Sequence, residues 1–218
     1  MLKLYGFAVS NYFNMAKHAL LHKGVEFEEV TTFPGADAAY TRKSPMGKVP
    51  CIETEQGFLS ETSVILNYLE AAFPATPLLP KDLWQAAKVN EIMKVAELYL
   101  ELPARRLFPE VLGGVEVSAA TKAESREILQ KGCKALAALI KPSPYLTGDT
   151  ITMADIVLRY VLIPANMSAQ KIYNWDLLKE VPGLAEWNAV MANQEISQQL
   201  DEASQKGMAS FLAAIKSK

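Results

Sequence analysis

Two short runs carry residue types suited to holding a small peptide. They are Pro45-Met46-Gly47-Lys48-Val49-Pro50-Cys51-Ile52-Glu53 and Gly57-Phe58-Leu59-Ser60-Glu61-Thr62-Ser63-Val64-Ile65. Proline has no amide hydrogen, so Pro50 suits the start or edge of a strand rather than the middle of a ladder. X-Pro bonds turn cis at modest cost, which makes Val49-Pro50 a candidate cis bond that would present the backbone of Val49 to an extended peptide. Glu61-Thr62 opens a helix whose first amides lack intrahelical partners and sit at the positive end of the dipole. The Thr62 hydroxyl can donate to a carboxylate, and Glu61 can accept from an ammonium group. A small peptide with an α-amino acid head fits both runs; the plain alternative is a hairpin followed by a capped helix. Upstream, Ser10 stands where a first strand hands over to a first helix, so its side chain and the helix's free amides can face one point. A simple N-cap serine would read the same way.

The elements that must position these residues follow from the apolar spacing. Residues 2–9 are apolar apart from Lys3, as in a strand covered on both faces. Apolar residues then recur at helical spacing from Tyr12 through Leu20, and Gly24 stops that helix. Residues 25–30 alternate and read as a second strand, followed by an irregular stretch that can hold a short helix. Strands at 49–53 and 58–59 and a helix over 62–73 complete a β-α-β, irregular, β-β-α order, which fits a small mixed sheet with helices on both sides. Pro74-Ala75-Thr76-Pro77-Leu78-Leu79-Pro80 is a proline-rich connector. Beyond it the pattern is helical: a long helix from Leu83 that Pro103 must kink or break, one after Ser118, one opening on Thr152-Met153-Ala154-Asp155, and two more over 182–193 and 205–215.

The 218 residues suffice for one or two cores, and the formal charge of −2 gives no reason to expect nucleic acid or an anionic membrane as partner. No apolar stretch reaches signal-peptide or membrane-span length, so a reducing cytoplasm is the expected compartment. Cys51 and Cys133 lie far apart and suggest neither a disulfide framework nor a zinc site. His18 and His22 have metal-binding i, i+4 spacing, but without a third ligand a solvated helix face is the expectation.

Gly47-Lys48-Val49-Pro50 and Glu61-Thr62 together resemble the glutathione site of the cytosolic glutathione S-transferases, in which the acid-hydroxyl pair is usually Glu-Ser. The resemblance spans essentially the whole chain, though only its first third carries specific motifs. It implies an α/β plus all-α architecture: a thioredoxin-like domain over 1–74, a linker over 75–82 and a helical-bundle domain over 83–218. It also implies a homodimer that uses glutathione as co-substrate, without metal, and conjugates it to a small hydrophobic electrophile. Lys48, Val49, Pro50, Glu61 and Thr62 would bind the tripeptide. Ser10, within Gly6-Phe7-Ala8-Val9-Ser10, resembles the catalytic residue of the serine-type, bacterial members.

Such an enzyme must hold glutathione as its thiolate. Lowering a thiol pKa from ~8.5 to ~6.5 requires about 2.7 kcal/mol of preference for the anion. A hydroxyl donor contributes about 1.5–3 kcal/mol and a helix dipole about 0.3–1, so Ser10 at a helix start has the right order. Tyr12, one turn into the helix, competes for the sulfur or walls the second-substrate pocket; Tyr5 falls one residue early for the tyrosine-type position. Tyr99, Arg105 and Arg106 fall in the family's long helix beside the second substrate. Cys51 reads as a buried inert thiol. Ser44 replaces an asparagine common before the Pro-x-Gly turn, which leaves the anchoring of that loop open. Two other functions stay open: a non-enzymatic protein-interaction module of the same fold, and a glutathione-dependent isomerase or peroxidase.

Overall fold

A computed structural model describes residues 1–35 and 37–216, and its chain divides into two compact units. The first comprises residues 1–78 with 195–208, and the second residues 79–194 with 209–218.

In the first unit Leu2–Gly6 (β1) runs parallel to Phe27–Thr31 (β2) and antiparallel to Cys51–Thr54 (β3), which pairs with Gly57–Ser60 (β4). The sheet order is β2-β1-β3-β4. Asn11–His22 (α1) and Thr62–Ala72 (α3) pack together over the sheet. Between them they enclose Leu4, Phe13, Met15, Leu20, Ile52, Ile65, Leu66 and Leu69, all fully buried. Ala38–Thr41 (α2) supplies Tyr40, which joins Tyr5 and Cys51 in a second cluster bordered by Val30 and Val49. β1 ends at Gly6, three residues short of the expected 2–9 strand. A Cβ on Gly6 would lie 2.2 Å from the Phe13 ring, so only glycine lets α1 close down on the strand's end.

The second unit is helical, as the sequence pattern requires. Its helices are Leu83–Ala96 (α4), Leu102–Arg105 (α5), Phe108–Gly113 (α6), Ala119–Leu139 (α7), Met153–Tyr173 (α8) and Leu184–Ala192 (α9). Glu195–Lys216 (α10) is shared with the first unit. Val89, Ile92, Ala96 and Leu100 form one fully buried stripe, the spacing that marked the long helix. Pro103 does not break that helix. A π-helical turn at Glu97–Glu101 precedes it, and helical backbone continues into α5. The wider turn absorbs the proline, which has no N–H to donate to the ladder. Thr152 and Asp155 form the expected capping box at the start of α8. Asp155 also accepts from the Leu146 amide at 2.9 Å and the Trp187 indole at 2.8 Å, fixing loop, helix start and α9 at one buried carboxylate.

Candidate active site

Sheet register brings the singled-out residues of the first unit to one place. Tyr5 of β1 pairs with Cys51 of β3, and Cys51 pairs with Ser60 of β4. The segment leaving β1 toward Ser10, the Val49-Pro50 peptide entering β3 and the Glu61-Thr62 pair leaving β4 therefore share one end of the sheet.

Ser10 is the N-cap of α1, its Oγ accepting from the Phe13 amide at 3.3 Å. It is half-buried, and its own amide donates to the Phe7 carbonyl at 3.0 Å. Asn14, buried, donates through Nδ2 to the Ala8 carbonyl at 2.9 Å, tying the preceding turn to the helix. A capping hydroxyl accepts through a lone pair and keeps its hydrogen for another partner. Capping and donation to a sulfur are thus compatible. Tyr12 is half-buried on α1. Tyr5 is committed elsewhere: its hydroxyl donates to Glu53 and accepts from Lys43 Nζ at 2.8 Å. The hydrogen bond from Tyr5, then nearby cations, pull the Glu53 carboxyl below its usual range; the same hydroxyl raises the Lys43 ammonium.

The Val49-Pro50 bond is cis. The Lys48 side chain is exposed, Val49 half-buried and Pro50 buried. Ser44 anchors the loop despite replacing the common asparagine, its buried Oγ donating to the Lys48 carbonyl at 2.8 Å. Gly47 takes φ +61°, and a Cβ there would meet the Gly35 carbonyl oxygen at 2.1 Å, so this turn excludes any side chain.

Glu61 adopts φ 69° and ψ 115°, a positive-φ conformation outside the regions L-residues favour, at a cost of about 1–3 kcal/mol. It is exposed and makes no side-chain cap bond, and the first turn of α3 carries no acidic residue. Strain in an exposed acid at a helix start is the pattern of a residue kept for a ligand. Thr62 follows as the first residue of α3, 8% exposed.

Tyr99 lies in the π-helical turn of the second unit, 46% exposed. Arg105 pairs with buried Glu101 and stands 4.9 Å over the Phe108 ring; Arg106 pairs with Glu124 at 2.7 Å. Cys51 is buried, and burial pushes its thiol up to about 11. The solvated-face expectation fails for His18, which is fully buried, while His22 is partly exposed. All of α1 from Phe13 to Leu20 is enclosed, polar residues included. Among the described residues no group of three or more His, Cys, Asp or Glu is placed to hold a metal. Sequence reasoning missed Tyr40, whose hydroxyl also holds the Lys48 carbonyl; its partner lies eight residues on, in an irregular stretch with no periodicity to read.

Family models described as the N-terminal and C-terminal domains of glutathione S-transferase match residues 4–77 and 119–187. A glutathione S-transferase of Pseudomonas putida is 45% identical over 182 residues, 84% of this chain and 83% of that protein. Among solved structures, glutathione transferase F7 of Populus trichocarpa aligns with a TM-score of 0.76 at 22% identity, covering 94% of this chain and 99% of its own. A glutathione S-transferase of Methylobacterium radiotolerans, in complex with glutathione sulfonate, aligns with a TM-score of 0.76 at 24% identity, covering 91% and 93%.

Proposed function

Because the chain belongs to the glutathione S-transferase family and is a glutathione transferase with glutathione as co-substrate, we propose that the tripeptide lies across the end of the sheet with its sulfur at Ser10. The row Tyr5–Cys51–Ser60 carries this reading, because it gathers three separated segments at one end. The Val49 main chain pairs with the cysteinyl residue, and Pro50 shapes the approach. Glu61 takes the γ-glutamyl ammonium; Thr62 and the first amides of α3 take its carboxylate. Lys48 is the exposed cation of the motif and meets the glycine carboxylate.

The Ser10 hydroxyl donates to the thiolate while its lone pair holds the Phe13 amide, so the α1 dipole and the hydroxyl act on one charge. The thiolate then attacks a small hydrophobic electrophile: a C–S bond forms, and the leaving group departs with its electron pair or, in an addition, the acceptor takes a proton. Tyr12, half-buried on α1 beside Ser10, is the aromatic contact proposed for that second substrate. Arg105 and Arg106, in the second unit, are held in ion pairs by Glu101 and Glu124. We place the protein in the cytoplasm as a homodimer. Met46, Phe58 and Val64 on the first unit, and Leu98 and Leu102 on the second, are exposed apolar side chains that a second copy would cover.

Ser10→Ala tests the assignment. Thiolate ultraviolet absorbance of the glutathione complex should vanish at neutral pH while S-methylglutathione binds about as before; undiminished absorbance would remove Ser10 from the role.

A further inference from the structure

The Lys48 carbonyl accepts two hydrogen bonds, from the Tyr40 hydroxyl and from Ser44 Oγ, each at 2.8 Å. Both donors are buried, Tyr40 to 7% and Ser44 to 1% exposure. They belong to one corner, since the amides of Lys43 and Ser44 both donate back to the Tyr40 carbonyl, at 2.8 and 2.9 Å. The next turn is equally fixed: the Gly47 amide donates to the Ser44 carbonyl at 2.8 Å and the Gly47 carbonyl accepts from Gly35 at 3.0 Å.

A trans peptide unit points its C=O and its N–H in opposite directions within one plane. The Lys48-Val49 bond is trans. Drawing the Lys48 oxygen inward with two hydroxyls therefore turns the Val49 N–H the other way, and among the described residues none accepts from that amide. We propose that Tyr40 and Ser44 are positioning residues that aim the Val49 amide at the main-chain carbonyl of the cysteinyl residue of glutathione. This rests on the binding mode proposed above and assigns work to two side chains that never touch the ligand. Burial raises the Tyr40 phenol well above its usual value, so it stays a donor at every working pH.

The test is amide NMR with S-methylglutathione, which lacks a thiol and so bypasses Ser10, on the wild type, Ser44→Ala and Tyr40→Phe. In the wild type the ligand should shift both the Val49 and the Thr62 amide signals. Each variant should bind roughly three- to tenfold more weakly by calorimetry. At saturation its Val49 shift should shrink while its Thr62 shift stays at the wild-type value. Variants that match the wild type in affinity and at Val49, or that lose the Val49 and Thr62 shifts alike, overturn the positioning role. A wild type in which neither amide responds overturns the binding mode itself, and this inference with it.

Discussion

Burial keeps both thiols of the chain protonated, Cys51 pushed up to about 11 and Cys133 to about 12. A disulfide reagent at mildly alkaline pH should therefore label neither cysteine in the folded protein and both in concentrated guanidinium; fast labelling of native Cys51 would contradict the packing around Tyr5 and Tyr40. His22 offers a pH test. Burial first, then the neighbouring Lys23, lowers its pKa in the fold. The unfolded chain then binds the proton more readily, so stability should fall as pH drops from about 6.5 toward the lower folded value. His22→Gln should flatten that slope in urea titrations at several pH values, and an unaltered slope would assign it to other groups. Residue types alone marked Gly47, Val49-Pro50, Glu61 and Thr62, because backbone geometry and helix ends restrict what can stand there. The Lys43–Tyr5–Glu53 chain was not legible, since Tyr5 meets partners 38 and 48 residues away through the sheet register.

A buried ion pair ties the elements of the first unit to its connector. Lys23, at the end of α1 and fully buried in its side chain, meets Glu70 of α3 at 2.6 Å and the carbonyls of Phe73 and Thr76 at 3.1 and 2.8 Å. Glu70 in turn accepts from the Leu78 amide at 3.0 Å. Lys23→Met leaves a carboxylate and two carbonyls without their cation, and should lower unfolding free energy in urea by about 3 kcal/mol. In the second unit, Asp155→Ala removes the acceptor of two backbone amides, a hydroxyl and an indole. It should cost about 3 kcal/mol or more by the same measurement. A loss under 1 kcal/mol in either variant would contradict the network assigned to it. The capping box was legible because its two residues are three apart. The first turns of α10 were not, because they bury Ser197 and Leu200 among Gln198, Gln199, Asp201 and Glu202, with no apolar stripe to mark them.

The association proposed for the whole protein has its own readout. Sedimentation should give twice the 24.0 kDa chain mass at micromolar concentration, and introducing charge at exposed Met46 and Leu98 should shift it toward monomer. A wild type that sediments as monomer across that range would remove the homodimer. The central claim is narrower: glutathione lies at the end of the sheet with its sulfur held by Ser10. A crystal structure of the glutathione complex tests it most directly. The account predicts the sulfur within hydrogen-bonding distance of Ser10 Oγ, the cysteinyl main chain on Val49 and the γ-glutamyl head on Glu61 and Thr62. A sulfur resting on the Tyr12 hydroxyl, or a head group bound away from the start of α3, would contradict it.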